Sequence, residues 1–125
     1  MTTYVVLLPG DENAWEAMSG EEQAAVFAKH EQFGKQLAER GHTVTGGAEL
    51  THSRTTRKVG RGADGAVLVT DGPYAETVEQ LSGFYVVESD DVEDLLQVCA
   101  ILADAGGPPI EVRATTENVV DPDGD

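Results

Sequence analysis

His30, Cys99 and the cations between Arg54 and Arg61 are the side chains whose type and placement leave most room for chemistry. His30 falls on the spacing Val26, His30, Phe33, Leu37, so it shares the apolar stripe of a helix that the pattern runs from about Glu21 to Arg40. An imidazole titrates near neutrality. Beside a carboxylate it takes or gives a proton at pH 7, as isomerisation or elimination next to a carbonyl requires. The plainer alternative is a half-buried histidine satisfied by one hydrogen bond, the commoner fate on an apolar stripe. His42 and His52 fall in or beside loops and strand ends, where His52 is placed to join a pocket rim. Arg54, Arg57, Lys58 and Arg61 gather half of the eight Lys and Arg residues on one stretch. Such a cluster either recognises an anionic ligand or acidic partner, with Arg54 and Arg57 as candidate contacts, or protects an exposed strand edge. Edge protection is the expected role. Cys99 sits in the stripe Val92, Leu95, Leu96, Cys99, Leu102 and reads as a small buried hydrophobe, not a reactive thiol.

The elements that must position these groups follow from pattern. Tyr4 to Leu8 is a central strand ended by Pro9-Gly10, with apolar residues on both parities and therefore cover expected on both faces. Ser19-Gly20-Glu21-Glu22 has the form of a capping box and starts the first helix. Val44 and Leu50 flank Gly46-Gly47, which predicts a strand with a bulge or kink, and a further strand is expected from about Ser53 to Val59. Gly60 to Gly65 is then the turn of a hairpin that returns along Ala66 to Thr70. That turn also spells G-x-G-x-x-G, but the dinucleotide fingerprint needs a helix behind it, and a strand follows here. Gly72-Pro73 closes the strand, Ala75 to Leu81 suits one or two helical turns, and Gly83 to Val87 reads as a buried strand whose glycine marks close backbone approach. A capped helix from about Asp91 to Ala103 and a last strand, Ile110 to Ala114, complete the order.

With 125 residues the chain is one domain over residues 1–116, followed by an acidic tail, 117–125, whose composition suits flexibility. Twenty-three Asp and Glu against eight Lys and Arg give a formal charge of -15, which argues against nucleic acid and anionic membrane as partners and favours solubility. A single cysteine excludes an internal disulfide, and Tyr4 to Leu8 is too short for a signal peptide, so a cytoplasmic address is expected. No Cys and His spacing suits zinc. No Ser-His-Asp order, H-E-x-x-H, phosphate-binding loop or EF-hand pattern is present, so neither metal nor organic cofactor is expected.

The run Asp71-Gly72-Pro73-Tyr74-Ala75-Glu76-Thr77-Val78-Glu79 resembles the signature DGPFAETKE, with Tyr for Phe and Val for Lys. With Gly46-Gly47, Leu81-Ser82-Gly83-Phe84-Tyr85 and Ile110-Glu111-Val112-Arg113, it makes the chain similar to the YCII-related family, and in particular to its DGPF branch. The resemblance implies a ferredoxin-like α+β subunit, a split βαβ core with an inserted hairpin, that pairs as a dimeric α/β barrel. Two helices cover only one face of such a sheet, so a homodimer that covers the other is also expected on physical grounds. The founding members carry a histidine at a position similar to His30 that is proposed to act with an aspartate, and Asp71 is the candidate partner. Tyr74 joins His52, Arg54 and Arg57 as a candidate ligand contact. The expected function is binding of a small organic molecule or a protein partner without catalysis. DGPF-branch relatives that resemble accessory proteins of alternative sigma factors suggest one such partner. The alternative is a cofactor-independent isomerase, lyase or dehalogenase-like enzyme with His30 as acid and base.

Overall fold

The apolar run from Tyr4 to Leu8 lies in β1 (Thr2–Asp11), a strand paired on both sides, by β5 (Glu79–Ser89) and β6 (Glu111–Ala114). The computed structural model describes residues 1–73, 75, 77–104 and 107–116; the acidic tail 117–125 lies outside them. Between β1 and β5 come α1 (Glu12–Ala17), α2 (Gly20–Glu39), β2 (Thr43–Glu49), a 3-10 turn at Ser53–Thr55, β3 (Arg57–Arg61) and β4 (Val67–Asp71). Helix α3 (Val92–Ala103) joins β5 to β6. The four-stranded sheet has the order β2-β5-β1-β6, with antiparallel neighbours throughout, and β3-β4 forms a separate ribbon. Strands β1 and β2 thus run parallel with β5 between them, which is the ferredoxin-like split βαβ arrangement with an inserted hairpin.

Alternation along the strands decides where the core sits. Val6 and Val87 are fully buried, with Tyr4, Leu8, Tyr85 and Val112 around them, against Phe33 and Leu37 from α2 and Leu95, Val98, Cys99 and Leu102 from α3. Fully burying one such aliphatic or aromatic side chain contributes about 1.5–3 kcal/mol, so this layer carries most of the stability. The opposite parity supplies the other sheet face, with Val5 across from Val86 and Leu7 across from Phe84, flanked on β6 by Arg113 and Glu111. Those four apolar residues are only partly buried and none belongs to the core cluster. The central place expected for this strand is therefore correct. Within the described residues the cover comes on one face.

Local chemistry explains most element ends. Ser19 and Glu22 form the reciprocal capping box of α2, and the Asp91 carboxylate accepts the Asp94 N–H at the start of α3. The β2–β5 register skips Thr45, which is the bulge expected beside Gly46-Gly47. Three expectations need correction. Strand β1 does not stop at Pro9-Gly10 but shifts register between Leu8 and Pro9, accommodating the missing proline N–H, and runs on to Asp11. Its extra pairing, Asp11 with Glu79, draws Glu79 to Leu81 into β5, so no helical turn forms there among the described residues. The strand expected from Ser53 is a 3-10 turn first and becomes β3 only at Arg57. Helix α1, unexpected from the sequence, is capped by Asp11, whose carboxylate accepts the Ala14 N–H. The Gly60 to Gly65 segment is the hairpin turn, closed by the Gly62 N–H donating to the Ala66 carbonyl and followed by β4, so it opens no helix.

Candidate functional site

Helix α2 aligns His30 with Phe33 and Leu37, so its imidazole points at the helix-covered sheet face where Tyr85 stands on β5. His30 Nδ1 and Tyr85 Oη are 2.6 Å apart, and Phe33 packs on the Tyr85 ring at a centroid distance of 5.1 Å. The backbone of β2 makes room for that ring. Gly47 has φ 151°, and a Cβ there would lie 2.6 Å from the Phe84 carbonyl oxygen and 3.3 Å from Tyr85 Cδ1. From the other strand, a Cβ at Gly83 would lie 2.8 Å from the Ala48 carbonyl oxygen, so the close approach expected at this glycine is present.

Burial draws the His30 pKa below its ordinary value, opposed by the Glu49 carboxylate, and burial pushes the Tyr85 phenol up. Both groups are neutral at pH 7. The short contact then holds one shared proton, either phenol O–H donating to Nδ1 or Nδ1–H donating to the phenol oxygen. In the first arrangement Nε2 carries the hydrogen and is a donor. In the second the imidazole offers Nε2 as an acceptor and base. A neutral imidazole that switches between these through a tyrosine can bind a carbonyl or hydroxyl group and can move a proton.

The other candidate residues go elsewhere. Asp71 is the last residue of β4, exposed and paired across the ribbon with Arg57. Among the described residues no hydrogen bond joins it to His30, whose partner is Tyr85. Among the described residues no turn N–H donates to its carboxylate either; the Gly72 N–H donates to the Thr56 carbonyl at 2.7 Å, with Gly72 at φ 97°. His52 Nδ1 accepts the Arg54 N–H, which leaves Nε2–H to donate to Asn13 Oδ1 at 3.0 Å. Arg54 grips Glu16 with both terminal nitrogens, at 2.8 and 3.1 Å, and this hydrogen bonding holds the Glu16 carboxyl below its ordinary pKa. The Ser53 N–H and hydroxyl both donate to Glu12. His52, Ser53 and Arg54 therefore pin the root of the hairpin to α1. Arg57 is exposed on β3, and Tyr74 lies outside the described residues. Beside the pinned turn, Leu50, Thr51, Thr55, Thr56, Gln80 and Leu81 line an open cleft of about 330 Å³.

A buried polar set escaped the sequence reading. His42, 6% exposed, contacts Ser89 Oγ through Nδ1 and Asp94 Oδ2 through Nε2, both at 2.8 Å. Arg40 also binds Asp94, and Arg40 first, then His42, hold that carboxyl below its ordinary range. These are the residue types of a hydrolase triad, but Ser89 is 1% exposed and its oxygen already accepts the Asp91 N–H. A substrate cannot reach it. The set is a strut joining the starts of β2 and α3 to the end of β5, and only its partners, 47 and 52 residues away from His42, would have revealed it. Cys99 is buried among apolar side chains with its thiol pushed up to about 11, the packing role expected for it. Among the described residues no group of three or more His, Cys, Asp or Glu is arranged to hold a metal ion, and no helix is long and apolar enough to cross a membrane.

The family model described as the YCII-related domain matches residues 2–105. A protein of Rhizobium meliloti (strain 1021), described only as uncharacterized, is 31% identical over 110 residues that cover 82% of this chain and 81% of that protein.

Proposed function

Since the chain belongs to the YCII-related family, we propose that it works as a homodimer that binds a small organic molecule at the His30–Tyr85 pair. The single observation that carries the reading is the 2.6 Å contact between two neutral, partly buried groups on the helix-covered side of the sheet. A ligand bearing a carbonyl or hydroxyl matches what a neutral imidazole presents, whereas a polyanion is opposed by the charge of -15. Dimerisation is supported by the open sheet face, where Val5, Leu7, Phe84 and Val86 form a contiguous apolar row that a second copy covers, giving a dimeric α/β barrel.

A second reading, acid–base catalysis by His30 without a cofactor, is favoured by one feature of the same contact. Tyr85 occupies Nδ1, so Nε2 is the nitrogen left to take a proton next to a substrate carbonyl, and the imidazolium so formed returns that proton from Nε2 to the product.

A thermal-shift screen of small metabolites at pH 7.5 against the native protein, His30→Ala and Tyr85→Phe tests both readings. The expected result is a compound that raises the native Tm and shifts neither variant, with turnover of that compound by NMR separating catalysis from binding. A compound that stabilises all three proteins equally places its site elsewhere and overturns the assignment. Light scattering at micromolar concentration is expected to give twice 13.2 kDa; a monodisperse monomer refutes the dimer. A monomer that forms a complex with a purified sigma factor would assign the open face to a protein partner instead.

A further inference from the structure

The ribbon β3-β4 is exposed along its whole length. All ten residues of its two strands are exposed, including Val59 at 72%, Val67 at 60% and Val69 at 52%. A two-stranded ribbon standing free in water is marginally stable at best, and three adjacent valines do nothing for its solubility. Protection of a free edge accounts for the basic residues and leaves these valines unexplained.

Register shows how the two kinds of residue are combined. The pairs Arg57 with Asp71, Val59 with Val69 and Arg61 with Val67 place Val59, Val67 and Val69 on one face with Arg57, Arg61 and Asp71 beside them, while Lys58, Gly60, Leu68 and Thr70 take the other face. Strand β3 carries three cations, and with Asp64 in the turn and Asp71 on β4 the ribbon keeps a net charge of +1 in a chain whose formal charge is -15. Two copies of such a chain repel each other, and a cationic arm is the element that reverses the sign locally. The root of the ribbon is held by His52, Ser53 and Arg54 on α1 and by the Gly72 N–H on Thr56, so its base is anchored while its length is bare.

We propose that the β3-β4 ribbon is an arm that seats on a second copy of this chain, its valine face against an apolar patch and Arg57 and Arg61 against that copy's carboxylates. The proposal rests on the homodimer reading above and adds the element that reaches across. It requires the arm to be a salt-sensitive part of the interface, beyond the sheet face itself.

Sedimentation equilibrium of the full chain in 50 and 500 mM NaCl tests it, on the native protein, Arg57→Gln/Arg61→Gln and Val59→Ser/Val69→Ser, with far-UV circular dichroism to confirm that each is folded. Each double variant is expected to raise the dimer Kd by at least about tenfold at 50 mM NaCl, and the arginine variant, left with the repulsion between two acidic chains, to recover part of that loss at 500 mM, which the valine variant does to a smaller extent. Hydrogen exchange on the native protein provides a reading that needs no variant: amides of Arg57–Arg61 and Val67–Asp71 are expected to gain protection as concentration rises through the dimer Kd. A native dimer whose Kd is the same in both variants, with arm amides exchanging at one rate at every concentration, overturns the arm and leaves the dimer standing. A native protein that stays monomeric overturns the dimer and the arm together.

Discussion

Gly47→Ala is the sharpest test of how the candidate site is built, because its neighbour Gly46 serves as a control. The added Cβ at residue 47 would lie 2.6 Å from the Phe84 carbonyl oxygen and 3.2 Å from Tyr85 Cα, both backbone atoms of the adjoining strand that no rotamer change can move. Its φ of 151° is itself one that side chains resist. Conformational strain of about 1–3 kcal/mol and the displacement of β2 from β5 together give a loss of about 2–4 kcal/mol. For a domain of this size that is a fall in Tm of roughly 10 °C. At residue 46 the same methyl would meet only the Val86 side chain at 3.8 Å, an ordinary contact, and φ is not positive. Gly46→Ala is therefore expected to be neutral or to gain up to about 1 kcal/mol by stiffening the unfolded chain. Urea melts of both variants at one protein concentration measure the difference, and NMR titration of His30 shows whether loosening β2 hydrates the imidazole and lets its pKa rise. Stabilities within about 0.5 kcal/mol of each other would refute the close packing of β2 on Tyr85.

Four further outcomes follow from the same contacts. Because burial depresses the His30 pKa, the unfolded chain takes up this proton first as pH falls; the stability from a neutral His30 is complete above about pH 6.5 and is lost as pH falls toward the folded-state pKa. His30→Gln should flatten that part of the stability–pH curve, and an unchanged slope in urea melts counts against the buried neutral imidazole. His42→Ala removes a buried ring and its contact with Ser89, so a loss of about 2–4 kcal/mol is expected in chemical denaturation; a Tm within 2 °C of the native value, against a fall of about 6–12 °C expected for that loss, would show that the strut is dispensable. A Cβ at Gly72 meets no atom within 4 Å among the described residues, so Gly72→Val should cost mainly the strain of φ 97°, about 1–3 kcal/mol by the same assay, and no loss at all would exclude a structural role for the turn. Cys99, with a thiol pushed up to about 11, should be alkylated by iodoacetamide at pH 8 only as fast as the protein opens, so rapid labelling of folded protein contradicts its burial.

What could be read from the sequence was what local spacing determines. Ser19 and Glu22 are three residues apart, the stripe of α3 recurs every three or four residues, and Gly46-Gly47 marks its own bulge. The errors arose where a distant strand overrode local preference. Glu79 to Leu81 follow a segment that suits a helical turn, yet pairing with Pro9, Gly10 and Asp11 makes them strand. Pro9-Gly10 looks like a stop, but β1 absorbs it with a register shift, and α1 then begins at an aspartate concealed behind the turn signal. His30 could be singled out by its position on a helical stripe. Its partner could not, because Tyr85 lies 55 residues away and only the fold brings the two together. The same holds for Arg54, whose charge suggested a ligand and whose guanidinium is committed to Glu16, 38 residues earlier.

The position of β1 between β5 and β6 also bears on how the chain behaves while it is being made. Both partners follow residue 78, and the Thr115 hydroxyl that donates to the Thr3 carbonyl spans 112 residues. At about 5–20 residues per second, the apolar run Tyr4 to Leu8 waits on the order of 4–16 s on the ribosome before its first partner strand is complete. During that interval it is an unpaired strand able to join any other nascent chain. The segment that follows it directly, with Asp11, Glu12, Glu16, Glu21 and Glu22 within eleven residues of one another, keeps neighbouring copies apart by like-charge repulsion. Its acidity then acts before folding, as a guard on a strand whose partners come late.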